Sequence, residues 1–154
     1  MDPQTYFAEF VQPNYSDFLA HRDSLRHAAN AAVSAYHLVD YVAKQEGLTG
    51  SGKVVEQFRS KCPEFTLIQQ IANTFKHAVR DPSRSKKEVT VVTDVLRIKV
   101  GQQEPFSDGT FFSDGTGLES ERSRIVIDGE DGRPHDFEFN IGKVMEHLRL
   151  RFGS

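Results

Sequence analysis

Cysteine is nearly absent. Cys62 stands alone in 154 residues, which excludes an internal disulfide and a thiolate metal cluster. Long hydrophobic runs are missing too, and no apolar stretch approaches the roughly 18 residues that a membrane span needs. An excess of one charge is also lacking. The formal net charge is −3 and the sequence pI about 6.1, values that argue against a protein coating nucleic acid by bulk charge but leave room for a local basic site. The opening residues MDPQTYFAEF have no basic region followed by an apolar core, so no secretion signal is expected and a cytoplasmic location is the default. What remains is the composition of one soluble globular domain, 38% hydrophobic and 27% charged.

The two parts of the chain differ in period. Up to about Arg80 apolar residues recur at helical spacing, and beyond Lys87 they alternate. Acids and bases balance over residues 1–80, so the net −3 belongs to the remainder. A short helix is expected after Pro3, using Tyr6, Phe7, Phe10 and Val11. Ser16 to Glu46 reads as a long helix, with His21–Asp23 the place where a break would fall. Leu25, Ala28, Ala32, Ala35, Val39 and Val42 share one face of it, and the alanines allow a neighbouring helix to approach closely. Gly47 suits its C-terminal cap.

Further helices are expected over about Lys53–Lys61 and Glu64–Arg80. The latter begins after Pro63, has Leu67, Ile68, Ile71, Ala72, Phe75, Ala78 and Val79 as its apolar face, and ends at Asp81–Pro82. Val89–Val100 reads as a strand with a change of phase near Thr93–Asp94. Arg124–Asp128 and Asp136–Asn140 read as a hairpin with Ile125 and Ile127 opposite Phe137 and Phe139. A final helix from about Asn140 would bury Ile141, Val144, Met145 and Leu148. The expected fold is therefore mostly helical α+β in a single domain spanning 1–154. It comprises a helical bundle (1–80), a small antiparallel sheet with a Phe/Gly repeat loop (88–140) and a C-terminal helix (140–152) packed back on it.

Two motifs invite a chemical reading and resist it. Gly47 to Lys53 fits the phosphate-binding loop pattern, but Val54 stands where Ser or Thr must hold Mg²⁺, and the loop follows a helix instead of a buried strand. Phe106-Ser-Asp-Gly-Thr110 repeats as Phe112-Ser-Asp-Gly-Thr116 around Phe111. Two copies are too few for a solenoid, and Asp108 and Asp114 lack the company that calcium needs. A pair of turns between strands explains them, and the phenylalanines of the Phe106–Thr116 loop also offer a surface to a protein partner.

Polar residues within the helical part are more informative. Asp23, Arg26, His27, Asn30, Ser34, His37, Asp40, Tyr41 and Lys44 fall in one sector opposite the alanine face. His37 and Asp40 are i, i+3 neighbours, a spacing at which a carboxylate orients an imidazole and raises its basicity. On the later helix Gln69, Asn73, Lys76, His77 and Arg80 share the polar sector. A solvated helix face would account for either sector, although Glu→Lys spacings that stabilise such faces are largely missing. If the sectors meet, His37, Asp40, Asn73, Lys76 and His77 form one polar cluster. Arg80, Arg84, Lys86 and Lys87 follow closely and could hold a phosphate backbone. No HxxxH or similar ligand spacing is present, and neither a metal nor another cofactor is expected.

The segments AANAAVSAYHLVDYV and LIQQIANTFKHAV resemble a family of small bacterial proteins. Helices in that family carry Tyr-His-x-x-Asp-Tyr and Ile-Ala-Asn-x-x-Lys-His elements, followed by a Gly/Phe-repeat loop, strands and a final helix. The Asn-x-x-Lys-His element is also similar to the signature helix of the HEPN superfamily (higher eukaryotes and prokaryotes nucleotide-binding). The likeness covers about residues 17–80. It implies a helical bundle, binding of RNA or a nucleotide, a homodimer and, in many members, metal-independent RNA cleavage. On that resemblance His77 is the acid–base, Asn73 orients it or the substrate, Lys76 or Arg80 stabilises phosphate charge, and His37 and Asp40 join Arg80 in substrate binding. Ala72 stands where the superfamily's active motif carries Arg, so the pattern accommodates a binding-only relative as well as a nuclease. A non-enzymatic protein-interaction module is the alternative from a different class.

Overall fold

The computed structural model describes residues 1–77, 97–102, 123–128 and 133–153. The described part is mostly helical, with a small antiparallel sheet and a C-terminal helix, as the apolar periodicities predict. Helix α1 (Pro3–Tyr6) starts on Asp2, whose side chain accepts from Thr5 N at 2.8 Å. It runs into a π-helical turn, Phe7–Val11, and then into α2 (Gln12–Ala20). Phe7 and Val11 enter the core, whereas Phe10 lies outward at 43% exposure and stacks on Tyr6, so it is not part of the buried stripe expected of it.

The long helical segment is broken after Ala20. Ser24 caps a new helix, α3 (Leu25–Gln45), accepting from His27 N. At the break His21 closes α2 with its own N–H on Asp17 and Phe18 carbonyls. Ala28, Ala32, Ala35, Val39 and Val42 are buried as the wheel predicts. Leu25 is not, because it occupies the first helical position beyond the core and is 41% exposed. Ser34, placed by the wheel among the polar residues, is buried and satisfies itself by donating to Ala31 O at 3.1 Å. Gly47, at φ +68°, supplies the left-handed residue that ends the helix.

Helix α4 (Gly52–Lys61) and helix α5 (Phe65–His77) follow. Leu67, Ile68, Ile71 and Ala72 of α5 are buried and Phe75 packs half-buried against the core; Ala78 and Val79, with Asp81–Pro82, lie outside the described residues.

The sheet has the order β1 (Arg97–Gln102), β2 (Ser123–Asp128), β3 (Pro134–Asp136), antiparallel throughout. Residues 89–96, with the expected change of phase, lie outside the description, as does the repeat at 106–116. The hairpin is shorter than alternation suggests. Val126 pairs with Asp136 and Ile127 with His135, and the chain turns helical at Phe137. Asp136 marks this change by accepting from Phe139 N at 2.8 Å, an N-terminal cap for α6 (Phe137–Phe152). Two residues apart on a helix means nearly opposite faces, hence Phe137 is fully buried while Phe139 is 60% exposed. Ile141, Val144, Met145 and Leu148 line the same inner face as Phe137, against Ile125 and Ile127 of β2 in one continuous core. Among the described residues no helix is long and apolar enough to cross a membrane.

Candidate functional site

Helices α3 and α5 meet at Tyr36. Gln69 Nε2 donates to Tyr36 Oη at 3.2 Å, and the Phe65 ring lies 6.2 Å from the Tyr36 ring. The small side chains Ala28, Ala31, Ala32 and Ala35, all buried, are what α3 offers to its neighbours for close packing. Gln69 Oε1 is buried with no hydrogen-bond partner, a second lone-pair site at the same seam. Asn73, half-buried, sits one turn further along that face of α5. Lys76 and His77 occupy the last positions of the helix, with their side chains outside the description, and Arg80 lies beyond the described residues.

The expected cluster is only partly assembled by what is described. His37 is half-buried and Asp40 exposed on α3. No hydrogen bond between described residues links either to Asn73. Asp40 instead lies close enough to Tyr6 of the N-terminal segment for its charge to act on that hydroxyl. Tyr6 is stacked between Tyr41, 4.0 Å away between ring centres, and Phe10, at 5.1 Å. Burial pushes the Tyr6 hydroxyl up to about 12, with the nearby Tyr41 and Asp40 adding to the shift. Ala72, at 2% exposure, points into the core. Position 72, directly before Asn73, therefore faces inward.

Other chemistry-bearing residues have structural surroundings. Val54, the residue that breaks the phosphate-loop pattern, is fully buried in α4. The Cys62 thiol is pushed up to about 11 by burial and by the carboxylate of Glu64, which accepts from Sγ at 3.5 Å, so it is a poor nucleophile near neutral pH. Among the described residues no group of three or more His, Cys, Asp or Glu is placed to hold a metal ion.

A cleft of about 710 Å³ opens between α2 and the N-terminal half of α6, beside β2. Tyr15 and Phe18 come from α2, and Phe139, Gly142 and Lys143 from α6. Arg22 ion-pairs with Glu138 across the gap at 2.6 Å. Lys143 pairs with Glu146 at 3.4 Å. Arg149 lies over the Tyr15 ring at 5.6 Å. Burial raises the Tyr15 hydroxyl above its ordinary value; Arg149 and Arg22 oppose that rise and Glu138 reinforces it. No periodicity argument reaches this cleft, since it joins residues more than a hundred positions apart. Its one local signal is Gly142, a glycine in the middle of an apolar helical pattern.

No family model, no curated protein and no solved structure matches the chain.

Proposed function

We propose that this protein is a HEPN-like domain that binds RNA or a nucleotide at the α3–α5 seam. The observation that carries the reading is the Gln69–Tyr36 hydrogen bond. It ties to α3 the face of α5 on which positions 69, 73, 76 and 77 succeed one another at helical spacing. Lys76 and Arg80 supply the cations that displace counterions from phosphate, and Asn73 supplies an amide able to bond base or sugar. Cleavage is the stronger form of the proposal. In it His77 takes the proton of the 2′-hydroxyl, whose oxygen forms a bond to phosphorus while the bond to the 5′-oxygen breaks. The leaving oxygen is reprotonated, giving a cyclic phosphate and a 5′-hydroxyl. The inward-facing Ala72 favours the binding-only form over the nuclease.

The test is a fluorescent single-stranded RNA incubated with wild type, His77→Ala and Lys76→Ala, with and without chelator. Chelator-resistant cleavage that disappears in His77→Ala supports the nuclease. Salt-sensitive binding without cleavage, weakened in Lys76→Ala, supports the binding-only form. Absence of binding at low salt overturns both.

A second reading, a protein-interaction module, is favoured by one feature of α6. Phe139 (60% exposed) and Leu150 (85% exposed) are separated by three helical turns on one outer stripe.

A further inference from the structure

One outer face of α6 carries an ordered pattern. Phe139, Lys143, Glu146 and Leu150 all stand exposed on it. Their spacing of four, three and four residues is that of a heptad seam, and at 100° per residue they fall within about 60° of arc. The other large apolar side chains exposed among the described residues, Met1, Phe10 and Leu25, are scattered over the N-terminal segment and the start of α3.

The order along the stripe selects a partner. It runs apolar, basic, acidic, apolar, and its midpoint falls between Lys143 and Glu146. Laid antiparallel on a second copy, about a two-fold axis through that midpoint, Phe139 meets the partner's Leu150 at both ends and Lys143 meets the partner's Glu146 at both central layers. Every layer is then complementary. A parallel pair would oppose lysine to lysine and glutamate to glutamate, which repels at both central layers. Within one chain Lys143 and Glu146 are 3.4 Å apart, with side chains 49% and 66% exposed, so each keeps surface for a second partner. Of the other carboxylates beside this face, Glu138 is held by Arg22 and Asp136 by the Phe139 amide.

The surroundings of the stripe suit a protruding side chain. Phe139, Lys143 and Glu146 form the α6 wall of the α2–α6 cleft, and Gly142 between them adds no side chain. That opening has room for the partner's Leu150, which projects near the end of its helix at 85% exposure.

We infer that α6 is a self-association surface, on which a second copy of this chain docks antiparallel through Phe139, Lys143, Glu146 and Leu150. The inference rests on the interaction-module reading of the same stripe and commits it to one partner. It shares no residue with the α3–α5 seam. Three helical turns make a small seam beside the roughly 1,200–2,000 Å² that stable interfaces bury, so the dimer is a weak one.

Sedimentation equilibrium of the full chain over about 5–500 µM tests it. Wild type is expected to dimerise with a Kd of about 10–100 µM. Lys143→Glu and Glu146→Lys are each expected to weaken self-association at least about tenfold, and Leu150→Gln about tenfold. All three positions are exposed, so the monomer stays folded. An equimolar mixture of the two charge variants is expected to regain the wild-type affinity, because one seam is then wholly acidic and the other wholly basic. A parallel pair would be indifferent to either charge variant alone. A wild-type chain that stays monomeric throughout, a dimer unmoved by the three substitutions, or a mixture that fails to associate would overturn the inference. A monomeric chain that still binds a foreign protein through Phe139 and Leu150 would keep the interaction-module reading and overturn the self-pairing.

Discussion

A side chain at position 72 points into the core. Ala72→Arg, the change that the proposed HEPN-like reading would call for, is therefore expected to bury an unpaired guanidinium. It should cost more than about 3 kcal/mol in urea denaturation and yield no gain in RNA cleavage. His147 illustrates the same economy of burial at a titrating group. Burial lowers its pKa, the positive charges of Arg151 and Lys61 add to the effect, and its Nε2 is buried without a partner. Its ring meets Phe58 edge-on at 5.8 Å. With a folded value below the ordinary 6.5, the unfolded chain binds the proton more readily, so stability is full above about 6.5 and falls as the pH drops toward the folded value. Thermal melts between about pH 7 and 5 are expected to show wild type losing more stability than His147→Gln.

Among the elements, α6 starts on the side chain of a single residue, Asp136. Removing the cap with Asp136→Ala is expected to cost about 1 kcal/mol and to speed amide exchange at Phe139, measured by hydrogen-exchange mass spectrometry. That cap also explains where the sequence misleads. Phe137 and Phe139 alternate with polar residues and mimic a strand, whereas the Asp136 cap and the inner face that Phe137 shares with Ile141, Val144, Met145 and Leu148 favour helix. The 3.6-residue periods of α3 and α5 are legible because each buries a broad stripe, Ala28 to Val42 and Leu67 to Ala72. Phe10 and Ser34 are not, since a π-helical turn and a back-bond to Ala31 are local departures that periodicity averages away. At the seam, the i, i+4 relation of Gln69 and Asn73 can be read from spacing, whereas the partner Tyr36 cannot. The α2–α6 cleft depends on a chain reversal of more than a hundred residues, and Gly142 is its only trace in the sequence.

At the scale of the whole molecule, Phe58 binds the parts together. It is fully buried, and its ring meets Phe65 of α5 at 5.2 Å and both His147 and Phe152 of α6, with the Arg151 guanidinium 5.0 Å above it. Phe58→Ala is expected to cost about 3–5 kcal/mol, read as a lower urea midpoint for the chain as a unit. The missing tryptophan then acquires a use in this molecule. All four tyrosines, Tyr6, Tyr15, Tyr36 and Tyr41, lie in α1 to α3, and Tyr6 and Tyr41 are stacked face to face at 4.0 Å. The protein's tyrosine emission and the tyrosine bands of its near-ultraviolet circular dichroism thus originate in the N-terminal helices. Excitonic coupling between the Tyr6 and Tyr41 rings makes the docking of the first helix onto the third an optical signal that the chain carries without a label.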